Sequence, residues 1–300
     1  MILIIAKLLG IISVLNDKKG VNMNKVSKAS GIQMIYSQIA KELNKFNIEF
    51  IGIENIPDSP CVFICNHSNS HDFYTIQQLF AVLNRRVSVL VGSDCLNLPS
   101  RILFQLGSSI MVDRRIAEER HSSKKIMFDK LNSSSDVFVF GEGTWNLHPY
   151  KLMQPISKGA IEVACGADAY ILPVVFEYVE VKAPVTSDEQ LFKKCIIKFA
   201  EPLKIRYNSN VIIATAMIEE QMSAMKAHLK KENNCFYQSL DDVDADIYVN
   251  HTYYKKNTPL FKFDSDYEAQ FLRKVNGIEQ DNEFVKNESG LLVPKRVFKR

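Results

Sequence analysis

No CxxC pair occurs among the six cysteines of this 300-residue chain, which stand at 61, 65, 95, 165, 195 and 235. Without paired ligand spacing they do not describe a zinc site, and without a framework pattern they do not describe a disulfide-stapled domain. Core thiols in a reducing compartment are the expectation, with Cys61 and Cys65 flanking a short apolar strand. An excess of one charge is also missing. The net charge of +3 is too small to argue for a nucleic-acid partner. There is no internal repeat and no low-complexity segment. The acidic stretch holding Asp241, Asp242, Asp244 and Asp246 lacks the glycine and terminal glutamate of a calcium loop, so it reads as solvated surface. No metal is expected. Nor does any apolar run reach the roughly 20 residues a spanning helix needs.

The nearest approach to such a run is residues 1–15, MILIIAKLLGIISVL, broken only by Lys7, Gly10 and Ser13. It lacks the positive n-region and small-residue cleavage site of a signal peptide. Lys18 and Lys19 follow it and suit an anionic membrane surface. The expectation is a membrane-associated helical region at the cytoplasmic face, with a buried core helix as the alternative. Residues 17–31 read as a linker.

From residue 32 onward the apolar period switches repeatedly between 3.6 and 2. Ile32, Ile35, Tyr36, Ile39, Leu43 and Phe46 lie on one helical face. Strands are predicted at 48–57, 62–65, 87–91, 110–112, 137–140, 170–176 and 195–199. Helices are predicted at 72–84, from about Pro99, and at 115–131, 157–165 and 211–231. In the last of these, Val211, Ile218, Met222, Met225 and Leu229 share a face. Such alternation argues for an α/β layered domain over 32–232, a mixed, largely parallel sheet flanked by helices. The segment 233–300 is then a C-terminal extension of unassigned role, ending in the basic run PKRVFKR.

Four polar clusters fall just after predicted strands, where α/β folds place their sites. The first is NHSNSHD, residues 66–72. His67 can take a proton from a hydroxyl, and Asp72, five positions on at a helix start, can fold back to orient its ring. Asp72 as a mere N-cap is the competing account. Metal ligation by His67 and His71 is disfavoured, because the segment begins as a loop and lacks the glutamate of a metalloprotease helix. The second cluster runs from Gly107 to Arg115 and ends in Asp113-Arg114-Arg115, whose guanidinium forks suit phosphate. The third is Gly141-Glu142-Gly143-Thr144, where glycines allow close backbone approach and Glu142 can accept from ligand hydroxyls. The fourth is Leu172-Pro173-Val174, preceded by Lys158-Gly159-Ala160, with Lys158 as a point charge for phosphate or carboxylate. Surface ion pairs, a plain turn and a solvated lysine are the ordinary fates of such residues.

Taken in order, these blocks resemble the phospholipid/glycerol acyltransferase family, best known for the lysophosphatidic acid acyltransferases. Its His-x4-Asp block is matched by His67 and Asp72, and its Asp-Arg by Asp113 and Arg114. Its Phe-Pro-Glu-Gly-Thr-Arg is matched by residues 140–145, and its Val/Ile-Pro strand by Leu172-Pro173-Val174. The resemblance covers roughly residues 35–205. It implies phospholipid biosynthesis by an O-acyltransferase: His67, oriented by Asp72, deprotonates an acceptor hydroxyl that attacks an acyl thioester. Arg114, Glu142, Gly143, Thr144 and Lys158 would hold the lipid acceptor. The implied co-substrate is acyl-CoA or an acyl-carrier-protein thioester, with no bound cofactor, and the implied partners are a membrane surface and an acyl carrier protein. Two departures stand out. Gly141 replaces proline, which is expected to loosen the turn. Trp145 replaces an arginine that helps bind the acceptor's phosphate, so Arg114, Arg115 or Lys158 would compensate, or the acceptor differs. An esterase using water and a non-catalytic lipid-binding protein are the alternative functions.

Overall fold

The computed structural model describes residues 27–233 apart from 32, 36, 39–46, 69–71, 94–95, 97–100, 102–103, 106–107, 145, 147–151, 181–191 and 207–209, together with 284–286 and 292–294. The apolar segment 1–15, Lys18, Lys19, Cys95, Trp145, the acidic stretch at 241–246 and residues 295–300 lie outside the described residues. Among the described residues no helix is long and apolar enough to cross a membrane.

Seven strands form one sheet: β1 Asn47–Ile51, β2 Cys61–Cys65, β3 Val87–Gly92, β4 Ile110–Val112, β5 Asp136–Phe140, β6 Tyr170–Glu180 and β7 Phe192–Phe199. Their order is β1-β7-β6-β2-β5-β3-β4. All neighbours pair in parallel except β6 with β7. The sheet is therefore mixed and largely parallel, as expected. A separate hairpin pairs β8 Phe284–Lys286 with β9 Leu292–Pro294.

Among the described residues, helices α1 Asp72–Val82, α2 Ala117–Asn132, α3 Gly159–Gly166 and α4 Val211–Glu232 interleave with these strands. β2 reads CVFIC and is buried at every position, because helices cover both faces of the sheet. On one face Val62, Ile64, Val137, Val139 and Val175 pack with Met127, Ala160, Ile161, Ile218 and Met222 of α2, α3 and α4. On the other, Phe63, Phe138 and Phe176 pack with Ile76, Leu79 and Phe80 of α1. Phe63 meets Phe80 edge-on at 4.9 Å between ring centroids, a favoured aromatic geometry. Cys61, Cys65, Cys165 and Cys195 are buried free thiols.

Ahead of the sheet, the described residues from 31 to 38 are helical. Ser30 and Gln33 start that helix by exchanging bonds: Ser30 N donates to Gln33 Oε1 at 3.1 Å and Gln33 N to Ser30 Oγ at 3.3 Å. This is a capping box. The strand predicted at 48–57 is corrected. It stops at Ile51, and Ile53–Asn55 is a 3-10 turn. Gly52 causes the break, at φ 75° with the position of a Cβ only 2.6 Å from the Phe199 carbonyl oxygen. Only glycine fits that approach of the chain to β7. At the other end of the domain β6 runs to Glu180, beyond the predicted 176, because β7 supplies an antiparallel partner from Val174 to Glu180.

Candidate active site

β2 lies between β5 and β6, and the three strands are parallel. β2 and β5 end level, with Cys65 opposite Phe140, so the chain after Cys65 emerges against the chain after Phe140 while β6 runs on past them to Glu180. Asn66, wholly buried, fixes the first of these exits. Its amide donates from Nδ2 to the Phe176 carbonyl at 3.0 Å, and its Oδ1 accepts from Phe176 N at 2.7 Å. The side chain thus extends the β2–β6 ladder by one rung and launches His67 from a set position.

His67 Nδ1 lies 2.7 Å from Asp72 Oδ2. A carboxylate only accepts, so this contact puts the ring proton on Nδ1 and leaves the lone pair on Nε2. The same Asp72 oxygen accepts from Ser68 N at 2.6 Å, which folds the intervening loop back. Asp72 is fully buried and opens α1, where the helix dipole favours a negative charge. It is therefore more than a cap, since its oxygen serves the histidine. The imidazole stacks on Phe140 with centroids 3.9 Å apart and planes 11° from parallel, so its plane is fixed from one side. Behind the pair lies Tyr178, whose hydroxyl is 3.1 Å from Thr75 Oγ1. Burial, and then the Asp72 charge, hold its phenol protonated, well above the ordinary tyrosine range.

The turn after β5 is tied to this loop rather than turned toward solvent. Glu142 is buried, and its Oε1 accepts from His67 N at 3.3 Å while Oε2 accepts from Gln154 N at 3.2 Å. Burial pushes its carboxyl up to about 8, against the opposing pull of Lys226 and the two backbone donors. Asn146 N donates to the His67 carbonyl at 2.7 Å. Gly141 does not loosen the turn, contrary to the expectation. Its N–H donates to the Cys65 carbonyl at 2.8 Å, a bond that proline could not make. A Cβ there would fall 2.8 Å from Ile156 Cγ2 and 2.9 Å from Ile64 Cγ2. Gly143 sits at φ 72° with open space beside it, and Thr144 is buried.

Arg114 reaches across from the loop after β4 and donates from Nη1 to the Gly143 carbonyl at 2.7 Å. Arg114 thereby joins the second cluster to the third, over the β3 strand that separates them. Arg115 is committed elsewhere. Its Nε and Nη2 grip the two oxygens of Asp113 at 2.9 and 2.7 Å, which holds that carboxyl down at about 2. Lys158 is exposed and pairs with Glu162 one turn along at 3.4 Å. Among the described residues it makes no bond to the His67 cluster, but Ser157 N beside it donates to the Gly141 carbonyl at 2.8 Å. Thus hydrogen bonds join His67 to Asp72 and Glu142, and Arg114 to Gly143, the residue after Glu142, while Lys158 is exposed.

Sequence reasoning missed Asn66 as an anchor, Tyr178, and a stripe of buried polar residues on α4. Glu219, Ser223, Lys226 and Lys230 are all buried, and their spacing of four, three and four puts them on one side of the helix. That spacing was visible. It was masked by the apolar stripe from Ile218 to Leu229 beside it.

Residues 47–177 match the sequence model of the acyltransferase family. A Caenorhabditis elegans protein, acl-2, assigned as a 1-acyl-sn-glycerol-3-phosphate acyltransferase, is 30% identical over 129 residues, which cover 40% of this chain and 41% of the relative. The chain thus spans about two-fifths of the length of that curated relative. The crystal structure of the 1-acyl-sn-glycerophosphate (LPA) acyltransferase PlsC from Thermotoga maritima superposes with a TM-score of 0.51 at 19% identity, over 66% of this chain and 78% of that one. At that identity the superposition speaks for the α/β fold.

Proposed function

We propose that this chain, which carries the acyltransferase-family domain in residues 47–177, moves a fatty acyl group from a thioester to a hydroxyl of a lysophosphatidic-acid-like acceptor. The observation that carries the reading is the 2.7 Å contact of His67 Nδ1 with Asp72 at the mouth of the parallel strands. It leaves Nε2 as the base. Nε2 takes the proton of the acceptor hydroxyl, and the oxygen attacks the thioester carbonyl carbon. The tetrahedral intermediate collapses with cleavage of the C–S bond, and the leaving sulfur takes the proton back from the imidazolium. Asp72 and the face of Phe140 favour the imidazolium while it exists.

The acceptor class is supported by the names of the similar proteins and by Arg114, whose guanidinium stands at the site with donors suited to a phosphate. An acyl-CoA or acyl-carrier-protein thioester is the donor. The reaction takes place at a membrane surface, which the apolar run at residues 1–15 and the lysines behind it favour. The test is His67→Ala in an assay with an acyl-CoA and lysophosphatidic acid. Turnover should drop about 10²–10⁴-fold with unchanged melting temperature. Near-normal turnover removes His67 from the mechanism, and release of free fatty acid with no acylated product reassigns the chain to hydrolysis.

A further inference from the structure

α4 lies outside the stretch that matches the acyltransferase family, yet it delivers a buried cation to the site. Three of its ionisable side chains are buried, and two are fully accounted for as structure. Glu219 Oε1 accepts from Ile156 N at 2.5 Å. Lys230 Nζ pairs with Glu177 Oε1 at 2.8 Å, both nearly inaccessible. Lys226 differs. Only 6% exposed, it makes no ion pair among the described residues. Its ammonium makes a long hydrogen bond, 3.5 Å from Nζ to Ser68 Oγ. Ser68 is the residue next to His67. Its hydroxyl also accepts from Asn66 Nδ2 at 2.8 Å, and its N–H donates to Asp72.

We propose that Lys226 is a positioning residue for acyl transfer: its ammonium holds Ser68 in the His67–Asp72 loop and supplies the counter-charge for the buried Glu142 carboxylate, which grips the same loop at His67 N. The proposal rests on the acyl-transfer reading for its effect on rate. Physically, ionising a carboxyl withdrawn from water is costly without a cation. Arg114 and Arg115 lie at the exposed side, bound to Gly143 and Asp113, and Lys230 is spent on Glu177. Lys226 bears on Glu142 from the turn after β5 and on Cys65 from β2, and Asp72 of α1, bonded to His67, acts on the same two groups with the opposite sign. Tyr178 of β6 and Cys195 of β7 flank Asp72 and stay protonated. Lys226 is the attractive cation that bears on Glu142. An ionised Glu142 accepts from His67 N and Gln154 N together and so locks the base's backbone. A protonated Glu142 loosens that grip.

The test uses the full chain with Lys226→Met and Lys226→Arg, and Lys226→Gln as a second neutral variant should the methionine protein not fold. Glutamate carboxyl titration by carbon-13 NMR, assigned with Glu142→Gln, reads the charge directly. Glu142 should ionise near pH 8 in the unaltered chain and about 1–3 pH units higher in the neutral variants, with arginine restoring it. In the acyl-transfer assay kcat should fall about tenfold per unit of that shift at fixed neutral pH, with KM little changed. An unmoved Glu142 midpoint in a folded neutral variant overturns the proposal. A moved midpoint with unchanged kcat overturns the positioning role as well. If the unaltered chain transfers no acyl group, the functional reading fails, and the titration still decides whether Lys226 is the counter-charge.

Discussion

The parallel strands β2 and β5 carry a buried carboxylate at each end, and the two ends are built differently. At the N-terminal end Asp136 meets Arg85 through paired bonds of 2.8 Å from Nε and Nη2. Arg85 spends its other donors on the Pro57 and Ser59 carbonyls, and Asp136 accepts in addition from Cys61 N at 3.0 Å. Every charge-bearing atom there is closed off, and the result is a clamp. At the C-terminal end Glu142 and Asp72 share their oxygens with backbone donors and a histidine, and the nearby cation touches only a serine hydroxyl. The closed pair holds the strands together. The open one keeps a titratable base and a movable proton within reach. The strands between the two ends are only about 13 Å long, four steps at about 3.3 Å each.

Glu142 has its carboxyl raised from the ordinary 4.5 to about 8. Its contribution to stability is therefore fully present below pH 4.5 and is lost as pH rises through about 8. The shift amounts to on the order of 5 kcal/mol at 1.36 kcal/mol per unit. Denaturant melts from pH 4.5 to 8.5 should show a decline that Glu142→Gln flattens; parallel curves would mean that the site end is as closed as the other. Breaking the clamp by Arg85→Met should cost about 3–5 kcal/mol, because Asp136 is left buried and unpaired. The turnover of the protein that remains folded should be near normal, and a specific loss of turnover would contradict a purely structural role. The smallest effect is expected at Gly141→Ala, about 1–3 kcal/mol from overpacking against Ile64 and Ile156. Because it moves the turn that carries Glu142, turnover should drop with stability. A silent substitution would show that the turn is not held tightly.

How much of this was legible beforehand differs by element. Strands such as VFIC at 62–65 and the segment at 110–112 were readable because burial on both faces leaves a continuous apolar run. The strand end at Ile51 was not readable, because the alternation IEFIGIENI continues smoothly through Gly52 while the break depends on Phe199, almost 150 residues away. The His67–Asp72 pair was legible from spacing. The use of Glu142 was not: a glutamate between two glycines looks like a ligand for solvent-borne hydroxyls, and only the neighbouring β2 exit turns it inward. The tight fit of Gly141 is illegible for the same reason, since its N–H partner and the filled space at its Cβ lie on other elements.

By itself the sequence determined the layered α/β plan and the order of the polar blocks, because period and turn chemistry are local properties of the chain. It also put a base and a carboxylate five residues apart, close enough for one loop to join them. Only the tertiary structure decided which charges share a site. Arg114, Arg115 and Lys158 look alike in the chain, yet one bridges to Gly143, one is held by Asp113 and one is exposed. Lys226, which no motif marks, arrives 158 residues after Ser68, because strand order and helix packing set distances that sequence separation does not.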